Sequence, residues 1–254
     1  MHRSWLLVLL WMLLLGACAP RSESWQRIQS SGVLRVGLDP TYPPFEVAEG
    51  PTVVGLDVDL AHALAAELGL QAEFVYFGYD GLYDALATEQ VDVLLSALVT
   101  VPGRMRDFAY SDPYFNAGEI LIVPAGADIA GMEDLRGGRL AVELGAQGHV
   151  EATQWAGRLE ALAIRPYSGA DEALAAVAAG EADAALVDSI SGRLYLIGEA
   201  GDVLQRVSQP VTVEPFAMVT RIEDETLLAQ LNRSLDALQA TGRLDEIVNR
   251  WLGP

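Results

Sequence analysis

Along the chain, short apolar runs alternate with longer runs in which apolar residues recur every three or four positions. Val33–Leu38 (VLRVGL) has the look of a strand. Residues 57–68 (DVDLAHALAAEL) set Leu60, Leu64 and Leu68 on one helical face, with Asp57 near the helix start. A strand at 71–77, a helix at 80–88 and a buried strand at 91–95 follow. The same grammar returns as a strand at 139–144, a helix at 150–158, a strand at Ala163–Tyr167, a helix at 171–179 and a strand at 182–187. Helices at 224–240 and 244–251 close the chain. Strands alternating with helices predict parallel βαβ units and an α/β fold.

Residues 77–97 (FGYDGLYDALATEQVDVLLSA) align without gaps to residues 168–188 (SGADEALAAVAAGEADAALVD). Gly78 meets Gly169, Asp80 meets Asp171, Ala85 meets Ala176 and Asp92 meets Asp183. This internal repeat predicts two lobes of like architecture. The nearly polar-free stretch 119–123 and the later stretch 211–219 are expected to be the two crossings between them.

The chain opens with MHRSWLLVLLWMLLLGAC. Its unbroken apolar run, residues 5–15, is shorter than the roughly 20 residues that span a bilayer, and suits the core of a secretory signal. The run ends in Leu15-Gly16-Ala17-Cys18, which looks like a lipobox, and Cys18 is the only cysteine of 254 residues. Cys18 is therefore the expected lipidation site, with residues 1–17 as signal peptide and 18–30 as lipidated Cys and tether. The mature protein is expected outside the cytoplasmic membrane, periplasmic or on the outer face of the cell membrane, held by its lipid anchor.

The formal charge of −19, with 35 acidic residues against 16 basic ones, argues against nucleic-acid binding. A single cysteine excludes a disulfide framework and a multi-cysteine metal site. There is no HExxH, no Gly-x-Ser-x-Gly, no phosphate-binding Gly-rich loop with Lys and no His/Cys cluster, so neither a metal nor a cofactor is expected.

In open parallel α/β sheets, ligands bind beyond the carboxyl ends of the strands. That rule selects Asp39 and Tyr42 after the first strand, Ser96 and then Arg104 after 91–95, Gly145 to Gly148 after 139–144, and Asp188 after 182–187. One guanidinium, two carboxylates, aromatics and a Gly-rich helix start suit a small zwitterion: Arg forks onto a carboxylate, Asp accepts from an ammonium, and a helix start offers free N–H groups. Blander roles stay open. Asp39 could cap a turn, Tyr42 could be packing, Arg104 could be a surface ion-pair residue, Asp188 could cap the segment after it, and Gly145 and Gly148 could be turn glycines only.

VGLDPTYPPFE (36–46), GLDVDLA (55–61) and Arg104 followed by FAYSDPY (108–114) together resemble the extracellular solute-binding proteins, family 3, the polar amino-acid receptors of ABC importers. The resemblance runs in order over residues 30–253. It implies a two-lobe periplasmic-binding-protein fold of type II, with lobe one at 31–120 and 215–254 and lobe two at 121–214. It implies that Arg104 grips a ligand carboxylate and Asp188 an ammonium, that Tyr42 and Tyr79 pack on the ligand, that Asp39 meets a cationic side chain, and that main chain from Ser96 to Val99 lies alongside. The family's hydroxyls are absent at Ala97 and Val99, where backbone groups could serve, and Gly145-Ala146-Gln147 replaces its Gly-Ser/Thr-Thr turn, leaving Gln147 or backbone N–H groups to act. The implied partners are an amino acid and ABC permease subunits, with the protein acting as a monomer. Two other readings remain: a periplasmic enzyme similar to cyclohexadienyl dehydratases, for which Glu143 and His149 are the nearby acid candidates, and a sensing module for a separate receptor.

Overall fold

The structure, a computed structural model, describes residues 23–253. The signal segment, Cys18 and the start of the expected tether lie outside the described residues. Helix α1 (Glu23–Ser31) leads into β1 (Val33–Leu38). A small antiparallel meander of β2 (Thr41–Tyr42), β3 (Glu46–Glu49) and β4 (Thr52–Val54) follows, then α2 (Leu56–Glu67), β5 (Gln71–Tyr76), α3 (Leu82–Ala87) and β6 (Val93–Leu94). After β7 (Phe108–Tyr110) and β8 (Phe115–Asn116) the chain runs through β9 (Glu119–Pro124), β10 (Arg139–Glu143), α4 (Gln147–Ala156), β11 (Ala163–Tyr167), α5 (Ala170–Ala178), β12 (Ala184–Asp188), α6 (Ser189–Tyr195) and β13 (Leu204–Arg206). It returns through β14 (Pro215–Phe216) to β15 (Val219–Arg221), α7 (Glu225–Ala240) and α8 (Arg243–Leu252).

These elements build two five-stranded sheets of matching topology. The first has the order β5-β1-β6-β15-β7 and the second β11-β10-β12-β9-β13. In each, the first three strands and the fifth run the same way, and the fourth lies antiparallel between its two neighbours. In each, the fourth strand is the one that has just arrived from the other lobe. Leu60, Leu64, Leu231 and Leu235 cover one face of the first sheet, and Leu82, Leu86 and Leu98 the other. Leu140 and Leu186, then Ala173, Leu174 and Val177, do the same in the second.

The internal repeat is physical. Arg35 donates to Asp92 from its backbone N–H, Nε and Nη2 at 2.9, 3.2 and 2.7 Å. Arg139 donates to Asp183 from the same three groups at 2.7, 3.1 and 2.7 Å. The aligned Glu89 and Gly180 both take positive φ at the turn before each aspartate.

Two expectations need correction. Residues 119–123 are not a crossing but β9, hydrogen-bonded between β12 and β13. The crossings are β8 and β14, paired antiparallel, with Phe216 opposite Phe115. The tether does not run through residue 30: Glu23–Ser31 is helical, and Ile28 is fully buried in the core with Trp25 packed beside it. The crossings approach closely at Gly118, where a Cβ would stand 2.3 Å from the Thr212 carbonyl oxygen. Thr212 Oγ1 in turn accepts from the Glu119 N–H at 2.8 Å.

Candidate functional site

A cavity of about 440 Å³ opens between the carboxyl end of the first sheet and the crossings. Asp39, Tyr42, Tyr79, Ser96, Ala97 and Val99 line it, together with Thr41, Glu46, Glu214 and Phe216. The first six are sequence-expected site residues, brought together by the ends of β1, β5 and β6. Tyr42 and Tyr79 are half exposed, offering free aromatic faces. Tyr42 stacks on Phe45 at 5.7 Å between ring centres, which fixes its plane.

Several expected donors and acceptors are already engaged. Asp39 Oδ1 accepts from the Thr41 hydroxyl at 2.9 Å and Oδ2 from the Tyr79 N–H at 2.9 Å. Asp39 thus does act as a turn cap, and it ties the Tyr79 loop to the Tyr42 loop. The Ser96 hydroxyl donates to Glu46 Oε1 at 2.6 Å while accepting from the Asp39 N–H at 3.0 Å. The Ala97 N–H, expected to be available to a ligand, instead donates inward to Asp57 Oδ2 at 2.7 Å.

Arg104 does not line the cavity. Its guanidinium lies over the Tyr83 ring, 3.9 Å from the centre, and the side chain forms no ion pair among the described residues. Tyr83 is held by a 3.1 Å hydroxyl contact with Tyr110 and lies within electrostatic reach of Tyr79. Arg104 is therefore an exposed cation that packs on Tyr83 and forms no ion pair among the described residues.

The second lobe carries Asp188, which does not line this cavity. Asp188 caps α6, its Oδ1 accepting from the Ile190 and Ser191 N–H groups at 3.1 and 2.9 Å. It stands opposite Glu119 on the β12–β9 ladder. Burial, then the charges of Asp188, Glu214 and Glu46, raise the Tyr42 hydroxyl above its ordinary range. Burial, then Asp188 and Glu214, push Glu119 up to about 7. Gly145 and Gln147 are exposed at the start of α4, away from the cavity lining. The Gly145 N–H, a candidate anion donor, gives its hydrogen bond to His149 Nδ1 at 3.1 Å. His149 therefore accepts at Nδ1 within the α4 turn.

Sequence reasoning missed Glu46, Asp57, Glu119 and Glu214 as parts of this region. Glu46 and Asp57 stood inside quoted motifs, and the signal was a carboxylate on an inward-facing strand position directly after Phe45. Gly55 makes their meeting possible. Its φ of 148° lets α2 start against β3, where a Cβ would lie 1.9 Å from the Phe45 carbonyl oxygen.

The family model described as bacterial extracellular solute-binding proteins, family 3, matches residues 34–254. The arginine-binding extracellular protein ArtP of Bacillus subtilis is 26% identical over 86% of this chain and 85% of its own. Among solved structures, an ancestral cationic amino acid solute binding protein is 33% identical, covering 89% of this chain and 98% of its own, with a TM-score of 0.64. An ancestral cyclohexadienyl dehydratase is 26% identical over 90% of this chain and 95% of its own, with a TM-score of 0.78. Among the described residues, no helix is long and apolar enough to cross a membrane.

Proposed function

The chain belongs to the bacterial extracellular solute-binding proteins, family 3, and on that premise we propose that it captures a polar or cationic amino acid between its lobes and delivers it to an ABC permease. The observation that carries this reading is the distribution of charge: one guanidinium, Arg104, with no ion-pair partner among the described residues, and three carboxylates, Asp188, Glu119 and Glu214, that act on one another on the side of the second lobe and the crossings. A zwitterion with an added positive charge satisfies both poles. The named ligands of ArtP and of the ancestral cationic amino acid binder accord with it.

In this account the first sheet and its helices form lobe one, and the second sheet, β9 included, with its helices forms lobe two. Ligand docks first on Tyr42, Tyr79 and Arg104, with Ser96 to Val99 beneath it. Closure then brings Asp188, Gly145 and Gln147 to its other side. Only the closed form makes both sets of contacts, so ligand shifts the population toward it. The protein works as a monomer, exported by residues 1–17 and anchored through lipid on Cys18. A Cys18→Ser variant is expected in the soluble extracytoplasmic fraction; continued membrane retention would remove the anchor from this account.

A thermal-shift screen of the purified protein against the amino acids tests the ligand class, since a ligand that prefers the folded state raises its melting temperature. L-Arginine and L-lysine are expected to give the largest shifts. A screen in which no amino acid shifts the transition would overturn the reading. The dehydratase among the structural relatives justifies one further arm: prephenate converted to phenylpyruvate would make the protein an enzyme instead.

A further inference from the structure

At the floor of the cavity two buried carboxyls, Glu46 and Asp57, hold one turn, Ser96–Ala97. Glu46 is 1% exposed and Asp57 0%. Asp57 Oδ2 accepts from the Ala97 N–H at 2.7 Å and from the Tyr114 hydroxyl at 2.9 Å. Glu46 Oε1 accepts from the Ser96 hydroxyl at 2.6 Å. The remaining oxygens, Glu46 Oε2 and Asp57 Oδ1, are buried and receive no donor. Each carboxyl bears on the other's titration, and the two bond adjacent residues of one turn, Ser96 and Ala97. Neither forms an ion pair among the described residues. The titratable groups facing them are Asp39 from the end of β1, Tyr42 from β2 and Tyr114 before β8, none of them a cation.

Two ionised carboxylates cannot both rest there. Each would carry a desolvation cost of several kcal/mol, with their repulsion added. One proton removes both problems, because it turns an orphan oxygen into a donor for the other. Donors to a carboxylate favour its charged form. Asp57 has two donors and Glu46 one, so the proton belongs on Glu46.

We infer that Glu46 and Asp57 share a single proton, carried on Glu46 Oε2 and donated to Asp57 Oδ1, and that this acid–carboxylate pair positions the Ser96–Ala97 turn at the cavity floor. From the acid, a chain of hydrogen bonds runs through the Ser96 hydroxyl to the Asp39 N–H. From the carboxylate, a bond to the Ala97 N–H holds that residue at a φ of 46°. The wall that meets the ligand thus rests on a neutral acid. Burial, then the Asp57 charge, push the Glu46 carboxyl up to about 10, in keeping with this arrangement.

The inference goes beyond the ligand reading, and its test uses the unliganded full chain, so the two fail separately. Infrared spectra at pH 8, where exposed carboxyls are ionised, are expected to show a carboxylic-acid C=O band that disappears in Glu46→Gln. Glutamine donates where the acid O–H does, so this variant is expected to match the parent's melting temperature near pH 4 and to exceed it at pH 7. The parent binds its extra proton only when folded, so its stability falls as pH rises from the ordinary Glu range toward 10; Glu46→Gln is expected to lack that slope. Asp57→Asn turns an amide toward existing donors and is expected to lower the melting temperature by about 5–10 °C. Absence of the acid band in the parent would overturn the inference. A band that survives Glu46→Gln but not Asp57→Asn would overturn the assignment to Glu46. If neither variant folds, the band of the parent decides alone, since its loss at or below pH 8 would equally overturn the shared proton.

Discussion

The Arg104 guanidinium lies 3.9 Å from the centre of the Tyr83 ring and is paired with no carboxylate among the described residues. A cation–π contact of this kind is worth about 0.5–1 kcal/mol at an exposed site, far less than a forked bond to a ligand carboxylate. The ring holds the guanidinium in waiting without neutralising it. Arg104→Ala is expected to weaken L-arginine binding by at least about 100-fold, corresponding to roughly 3 kcal/mol for a charged hydrogen-bonded partner. Its melting temperature without ligand should barely move. Calorimetry on both proteins checks this, and equal affinities would contradict the role given to Arg104.

The Arg–Asp braces of the two lobes share one geometry but differ in burial. The Asp92 side chain is fully buried and meets both Arg35 and Arg27, whereas that of Asp183 is 38% exposed and meets Arg139 alone. Breaking a buried pair costs about 3–5 kcal/mol, and an exposed one at most about 1. Asp92→Asn is therefore expected to lower denaturant stability several times more than Asp183→Asn. Comparable losses would show that burial does not govern the difference.

Burial opposes charge on Asp92, but hydrogen bonds from Arg35 and Arg27 outweigh it and hold its carboxyl below the ordinary range. Asp183 is lowered too, by its Arg139 bond first. Both groups stabilise the fold above the ordinary aspartate range and lose that contribution as pH falls through their depressed values. Glu119 has the opposite sign: raised to about 7, it costs stability progressively as pH climbs from the ordinary glutamate range to neutrality. Glu119→Gln is expected to stabilise the protein at pH 8 by on the order of 2–3 kcal/mol and to change little at pH 4. Denaturant titrations at the two pH values test the sign, and a pH-independent effect would refute it.

Gly118→Ala is expected to cost about 1–3 kcal/mol, because the added methyl meets the backbone oxygen of Thr212 and cannot be accommodated by a side-chain rotation. The loss should appear in chemical denaturation. An unchanged midpoint would mean that the crossings separate without penalty.

Periodicity made most of this fold legible. Strands such as Ala163–Tyr167 emerged with the bounds they have, because their flanking turns are marked and their partners lie close in sequence. The β9 strand did not, since an apolar run reads alike whether it joins lobes or sits inside a sheet. Helix α1 is not legible as part of the fold because its anchors, Trp25, Arg27 and Ile28, meet partners far away in sequence. At the site, the strand-end rule selects Asp39, Tyr42 and Ser96 of the cavity lining, and the family resemblance adds Tyr79. Neither could show that the Ser96 hydroxyl, the Ala97 N–H and the Gly145 N–H are already engaged, nor that Gly55 lets Asp57 approach Glu46. Those facts depend on ångström-scale docking between segments far apart in sequence.

Phe115 and Phe216 face each other across the two connecting strands, and Asn116 ties them further through the Glu214 N–H at 2.7 Å and the Thr212 carbonyl at 3.3 Å. Two struts bonded along their length bend about a common line more readily than they twist or slide. In the closure proposed above, relative motion of the halves is thereby reduced to nearly one coordinate, so that opposite walls would meet in the same alignment each time. Discrimination among solutes is then written partly into the connectors, which decide where the far wall arrives, and not only into the groups that touch the cargo.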